Sequence, residues 1–302
     1  MGNIKLSIII PCYNVSRYLP FLLEGIINQL RGEVEVILVD DCSSDNTLDV
    51  IQEYVGKSEQ LVLVKNETNE GISSSRNKAL SISRGDYLWF IDSDDLIEDG
   101  AINEIMREIS GSSEYDIINF SHTITKTQEN TSMNIYPPQG EYDKDGFFKL
   151  ALKKKFSFHL WNKIISKKIV GNSKADQDIT ILVDMNFLLN VIRDKDIKIK
   201  SSSVIIYNYF LRPGTTITKI NSRKLKDQQY TFGKYMSDIK SLNDPTLDGF
   251  IIKEKVNTSY QIVKNKGRLI ENWISFKHFF CRSLTLKERY KALYVVFCGS
   301  VE

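Results

Sequence analysis

Three carboxylates, Asp92, Asp94 and Asp95, fall within four positions directly after the apolar run Tyr87 to Ile91. Such a run reads as a strand buried on both faces, so the cluster lies where that strand leaves its sheet. Crowded carboxylates repel one another, and a divalent cation with oxygen ligands relieves the repulsion. The other reading is an acidic turn that caps the next helix. Further polar groups follow other apolar runs: Pro11-Cys12-Tyr13-Asn14, Asp40-Asp41 and Asn69-Glu70-Gly71. Turn chemistry accounts for any one of these groups but poorly for all four together.

The elements that must position these groups alternate. Leu6 to Ile10, Val34 to Val39, Leu61 to Val64 and the run from Tyr87 read as strands. Between them Leu19, Leu22, Leu23, Ile26, Ile27 and Leu30 recur at helical spacing. A second helix, capped by Asp45, buries Leu48, Ile51 and Val55, and a third runs from about Ser73 through Ile82. Ile102, Ile105, Met106 and Ile109 mark a fourth helix, and Ile117 to Phe120 a further strand. Repeated β-α units with short loops predict an α/β fold with a doubly wound, mostly parallel sheet and helices on both faces. In that architecture ligands bind at the carboxyl ends of the strands, where strand order reverses.

The composition is that of an ordinary globular chain, 42% hydrophobic and 26% charged over 302 residues. Its net charge of +2 hides an asymmetry. Residues 1–120 carry 9 Lys+Arg and 21 Asp+Glu, whereas residues 121–302 carry 31 and 17. The first part is suited to hold cations and the second to lie near anions. No basic run is joined to a nucleic-acid motif, so no nucleic-acid partner is expected. Cys12, Cys42, Cys281 and Cys298 lie far apart with no C-x-x-C spacing, the pattern of free thiols in a reducing compartment. The first apolar run is too short for a signal-peptide core and no run reaches membrane-spanning length, which predicts a cytoplasmic location.

The segments SIIIPCYN, VILVDDCSSDNT, NEGISSSRNKAL and GDYLWFIDSDD, in this order, resemble the nucleotide-sugar half of family 2 glycosyltransferases, which have the GT-A fold. The resemblance is dense over residues 5–110 and implies a pocket for a nucleoside diphosphate sugar, usually a UDP-sugar. It implies that the backbone around Pro11 and Tyr13 lines the base, that Asp41 hydrogen-bonds the uracil and that Asp92 lies near the ribose. Asp94 would help to bind a manganese or magnesium ion bridging the two phosphates. The physics agrees: a leaving diphosphate gains negative charge, a Lewis acid stabilises it, and Asp94 and Asp95 offer the oxygens that Mn2+ or Mg2+ prefers. Arg76 either meets a phosphate or pairs with Asp41 or Asp92. Asn77 has a weaker claim on phosphate.

The reading divides the chain into a nucleotide-sugar half at 1–120, an acceptor half of the same domain at 121–220 and a helical C-terminal region at 221–302. Ser132 to Pro138 and Gly140 to Tyr142 read as loops and a short strand, and Gly146 to Lys155 as a helix. Trp161, in HLWNKIISKKIV, resembles the W-x-K segment at the family's acceptor side; it either stacks on a sugar or fills the core. His159 reads as structural or catalytic. An inverting transfer needs a base for the acceptor hydroxyl. In the family this is the Asp of a Glu-Asp pair, and in TILVDMNFLLNVI Asp184 holds that position while Val183 replaces the glutamate. Asp176 and Asp178 are the alternatives, as is a purely capping role for Asp184. Tyr207, Tyr209 and Arg212, before a Pro213-Gly214 turn, order a loop over the donor, and Arg212 reaches toward the diphosphate.

Residues 221–302 carry 15 Lys+Arg and 8 Asp+Glu and mix aromatics with cations, as in Phe276-Lys277-His278-Phe279-Phe280 with Arg282, and in Tyr290, Lys291, Tyr294 and Phe297. Leu269, Ile270, Trp273 and Ile274 mark another apolar face. Such faces suit peripheral contact with an anionic membrane at the inner face of the plasma membrane, or packing on the catalytic domain or on a second copy of the chain. The resemblance implies an enzyme moving a hexose or N-acetylhexosamine from a UDP-sugar to a growing, lipid-linked surface glycan. A nucleotidylyltransferase would need a glycine-rich phosphate loop where this chain has PCYNVSRY, which lacks glycine. A binding or scaffold protein that keeps the donor pocket without catalysis is the stronger rival, because of Val183.

Overall fold

Strand β1 (Leu6–Cys12) and strand β2 (Val34–Asp40) are almost wholly buried, as continuous apolar runs in a parallel sheet must be. The computed structural model describes residues 3–111, 114–212, 222–265, 274–275, 278, 280–281 and 283–299. Expectations at Pro213-Gly214, at the boundary near Asn221, and at Leu269, Ile270, Trp273, Phe276, Lys277, Phe279 and Arg282 lie outside the described residues. The chain divides into two compact units, one of Met1–Lys144, Phe158–Gln177 and Asn186–Thr215, the other of Asp145–Ser157, Asp178–Met185 and Thr216–Glu302.

The first unit holds every strand described. With β3 (Leu61–Lys65) and β4 (Tyr87–Phe90), the first four strands lie in the order β3-β2-β1-β4, all parallel. Beyond β4 come β9 (Lys163–Ser166), β6 (Ile117–Lys126), β10 (Ile199–Leu211) and β5 (Leu96–Ile97). β9 runs antiparallel to both β4 and β6, whereas β10 runs parallel to β6. The predicted loop region 132–138 contains a strand, β7 (Thr131–Ile135), on the flank of β6, and β8 (Gly140–Tyr142) pairs with β10. The helices α1 (Leu19–Ile27), α2 (Thr47–Val55), α3 (Ile72–Ile82) and α4 (Ala101–Gly111) follow the predicted apolar spacing within two or three residues. The buried faces of α1, α2 and α4 join one core with Ile8, Ile10, Val36, Leu38 and Trp89.

Two details fix the start of these strands. Glu35, buried within β2, accepts hydrogen bonds from Ser7 Oγ (2.7 Å), Arg84 N (2.6 Å) and Arg84 Nε (2.7 Å), so its charge is offset within the sheet. Gly85 leads into β4, where a Cβ would come within 2.6 Å of Ser7 N. Only glycine fits there.

The second unit is helical where described. It contains most of α5 (Lys144–Leu152), then α8 (Ser222–Ser241), a 3-10 turn at Pro245–Leu247, α9 (Asp248–Lys264) and α10 (Leu286–Cys298). The short α6 (Lys167–Val170) belongs to the first unit, and α7 (Val183–Ile192) contributes residues to both. No helix among the described residues is long and apolar enough to cross a membrane.

An acid-sensitive residue sits in the first unit. Burial, with His159 and Lys163 nearby, holds the His122 imidazole down at about 4. Its ordinary value in an unfolded chain is near 6.5. The unfolded chain therefore binds the extra proton between pH 6.5 and 4, and the stability His122 contributes above that window is lost as pH falls through it. His122→Phe keeps an aromatic edge against Trp161, 4.6 Å away in the native protein, and removes the titration. Between pH 7 and pH 4.5 wild type should lose roughly 2 kcal/mol more than this variant in denaturant unfolding. Equal losses would show that His122 is not the acid-labile group.

Candidate active site

The parallel arrangement brings the ends of β1, β2, β3 and β4 to one edge of the sheet, with strand order reversing between β1 and β4. Asp41 and Asp94 follow β2 and β4, which flank β1, so their strands stand two spacings apart, about 10 Å. Pro11 pairs within β1, and the exposed Tyr13 follows it.

Asp41 is buried and frames the next loop. Its Oδ1 accepts from Asn66 Nδ2 (2.7 Å) and Glu70 N (2.9 Å), and its Oδ2 accepts from Gly71 N (2.8 Å). Gly71, at φ +87°, then turns the chain into α3. Each carboxylate oxygen has about two acceptor positions, so Oδ2 keeps capacity for one further donor. Lys78 steadies the same loop through Asn66 Oδ1 (2.8 Å) and Glu70 Oε1 (2.7 Å). The loops after β1 and β2 clasp each other as well. Asn14 Oδ1 accepts from Ser44 N (2.8 Å), and Asp45 Oδ2 accepts from Ser16 Oγ (2.7 Å) and Ser16 N (3.1 Å).

The three clustered carboxylates have different surroundings. Arg76, buried in α3, pairs with Asp92 at 3.5 Å and lies over the Phe90 ring. Asp94 is 39% exposed, and Arg212 Nη1 meets its Oδ2 at 2.8 Å while Nη2 donates to its backbone carbonyl. The Arg212 guanidinium also lies 4.4 Å above the Tyr18 ring. Asp95 is 1% exposed and turned inward: Oδ2 accepts from Tyr207 Oη (2.9 Å) and Oδ1 from Phe210 N (2.9 Å). Burial first, then Asp92 and Asp94, push its carboxyl up to about 8 against the pull of those two hydrogen bonds. The Tyr207 hydroxyl in turn accepts from Asp92 N (3.2 Å), which ties both ends of the turn to β10. A register irregularity in β10 between Ile205 and Tyr207 sets that side chain's aim.

The expectation that Asp95 is a metal ligand is therefore corrected, because its side chain is 1% exposed and turned inward onto Tyr207 and the Phe210 amide. Among the described residues no group of three or more His, Cys, Asp or Glu side chains could hold a metal ion. A magnesium-type ion on a diphosphate needs only one or two protein carboxylates, the phosphates supplying the rest. The exposed Asp94 oxygens fit that demand.

Trp161 also takes another role than stacking on a sugar. It is 3% exposed, and its ring stacks with Tyr207 (4.8 Å), His159 (4.9 Å) and Tyr209 (5.5 Å). Its carbonyl accepts from Trp89 Nε1 (2.7 Å). The exposed member of this stack is His159. Asn77 binds protein instead of facing phosphate: its Nδ2 donates to Ala175 O and its Oδ1 accepts from Ala175 N, both at 2.8 Å. Asp184 stands half-buried in the first turn of α7 beside the buried Val183, within the segment assigned to the second unit. Sequence reasoning missed Tyr18 and the tie from Tyr207 to Asp95. The aromatic at 207 was visible, but a thirteen-residue strand gives no sign of where a register shift falls.

The protein is similar to EpsH of Bacillus subtilis, 27% identical over 170 residues, which make up 56% of this chain and 49% of EpsH. It is also similar to the minor teichoic acid biosynthesis protein GgaB of the same organism, 36% identical over 107 residues, 35% of this chain and 12% of GgaB. The chain thus spans about half of EpsH and a far smaller part of GgaB. Among solved structures, S. aureus TarS in complex with UDP-GlcNAc shares the fold, with a TM-score of 0.68 at 17% identity over 96% of this chain and 87% of that one. The family described as glycosyl transferase family 2 matches residues 7–172, from the first strand past the acidic turn, and the chain belongs to that family.

Proposed function

We propose that this protein transfers a hexose or N-acetylhexosamine from a UDP-sugar to a hydroxyl of a growing, lipid-linked surface glycan, with inversion and with Mg2+ or Mn2+ as cofactor. The observation that carries the reading is the strand-end crevice, in which Asp41 follows β2 and Asp92 and Asp94 follow β4, the parallel strands on either side of β1, and two arginines meet the latter two carboxylates. Similarity to GgaB, whose name refers to teichoic acid biosynthesis, supports a surface glycan as product.

In this reading Pro11 and Tyr13 line the base, the remaining acceptor position on Asp41 Oδ2 takes the uracil N–H, and Asp92 lies by the ribose. Asp94 holds the cation, which when bound offsets the charge that grows on the leaving diphosphate. Arg212 shares Asp94, so its guanidinium is placed to turn between that carboxylate and the diphosphate. Arg76 stays with Asp92 and fixes that carboxylate. Asp184 takes the proton from the acceptor hydroxyl as its oxygen bonds to the anomeric carbon and the bond from that carbon to the diphosphate oxygen breaks.

Asp184→Asn should lower transfer at least about a hundredfold while UDP still raises the melting temperature. Full transfer by the variant would remove the assignment. Val183 in place of the family's glutamate favours a second reading, a nucleotide-sugar-binding scaffold. Wild-type protein that is stabilised by UDP with metal but turns over none of a panel of nucleotide sugars would establish it.

A further inference from the structure

Helix α10 carries an apolar outer face with an unusual charge pattern. Leu286, Tyr290, Tyr294 and Phe297 follow one another at helical spacing and are 67%, 62%, 41% and 76% exposed. The opposite face is fixed, because Ala292 and Val295 are buried in a core with Val256, Ile262 and Val263 of α9. A capping box begins the helix: Thr285 Oγ1 accepts from Glu288 N (3.3 Å) and Thr285 N donates to Glu288 Oε2 (2.9 Å). The outer face is therefore a fixed surface of a well-started helix.

Lysines are layered onto its rings. Tyr260 of α9 meets Tyr294 edge-on at 5.4 Å, and Lys291 and Lys264 lie over the Tyr260 ring at 5.4 and 6.0 Å. Tyr260, Leu286, Lys287, Tyr290, Lys291 and Tyr294 line an open groove of about 610 Å³. Glu288 is the one acidic residue of α10, and it is buried and paired with Lys253 at 3.0 Å. The outer face of α10 thus presents cations and apolar rings without a carboxylate.

We propose that this face of α9 and α10 is a docking surface for an anionic membrane, with Tyr290, Tyr294 and Phe297 entering the headgroup layer and Lys287 and Lys291 meeting lipid phosphates. Aromatic rings edged by cations suit that layer, where the ring body is desolvated and the charge stays near phosphate. A second copy of the chain is a poorer occupant. In a two-fold contact the same patch meets itself, so lysines would face lysines with no carboxylate on α10 to separate them. The excess of 15 Lys+Arg over 8 Asp+Glu in residues 221–302 extends the complementarity to an anionic surface.

Flotation of the full chain with vesicles tests this without requiring turnover, so its outcome is independent of the transfer reaction. Wild type should float with phosphatidylglycerol-containing vesicles, remain behind with pure phosphatidylcholine, and lose binding as salt rises. The double variant Tyr290→Ser with Phe297→Ser should bind at least about tenfold more weakly, and Lys287→Glu about fivefold or more, with the UDP-induced thermal shift unchanged in each. Should the double variant unfold, the exposed Lys287→Glu alone decides. No flotation of wild type on anionic vesicles, or undiminished flotation of the folded variants, overturns the proposal. So does sedimentation of wild type as a dimer that these substitutions convert to monomer, which would give the face to a second copy.

Discussion

Asp94→Ala should reduce turnover of the UDP-sugar about a thousandfold or more, and UDP affinity should lose its dependence on Mg2+ or Mn2+. A thousandfold corresponds to about 4 kcal/mol of transition-state stabilisation, the size expected when the charge on a leaving group is no longer offset. Asp94 is the most exposed member of the acidic cluster, at 39% against 31% for Asp92 and 1% for Asp95, which Tyr207 and Phe210 enclose. The melting temperature should change little, because a partly exposed ion pair such as Asp94 with Arg212 contributes little to stability. Residual turnover that still responds to metal would move the ion to another carboxylate. Unchanged turnover would refute a role for Asp94 altogether.

Asp41→Ala should lower the melting temperature by about 10 °C and abolish stabilisation by UDP. Three donors, Asn66 Nδ2, Glu70 N and Gly71 N, lose their acceptor at once. Unsatisfied donors at a partly buried site cost about 3 kcal/mol in sum, and in a unit of about two hundred residues each kcal/mol shifts melting by about 2–4 °C. The loop between β3 and α3 would then lose the anchor that sets the conformation of Gly71. A fall under about 3 °C with donor binding retained would show that the loop is held by Lys78 and Asn66 instead. Because Asp94→Ala spares stability and Asp41→Ala does not, the pair separates a chemical role from an architectural one at the same crevice.

The strand ends were legible because strands buried on both faces read as unbroken apolar runs, and polar residues just after them can only lie at the sheet's edge. Leu6 to Ile10 and Val34 to Val39 show this, each ending within two residues of the observed strand. The cluster at Asp92, Asp94 and Asp95 was legible as chemistry but not in its division of labour. Adjacent positions in a turn point in different directions, and which carboxylate turns inward depends on Tyr207, more than a hundred residues away. Trp161 illustrates the same limit. A tryptophan beside a candidate acceptor region reads as core before platform, and the ring stack with Tyr207, Tyr209 and His159 gives it its core partners. The antiparallel insertion of β9 between β4 and β6 was illegible because a four-residue apolar strand carries no mark of its direction.

The tie from β10 to the acidic turn bears on how such a chain can be divided. Tyr207, the amide of Phe210 and Arg212 all reach back to the segment from Asp92 to Asp95, so late-arriving chain completes what early chain begins. A fragment ending where the family match ends, at residue 172, would carry every carboxylate of the crevice yet leave Asp95 without either bond that accommodates it. The acidic turn and strand β10 are thus not detachable from each other, and the ties that shape the carboxylate cluster are complete only in a chain that extends through Arg212.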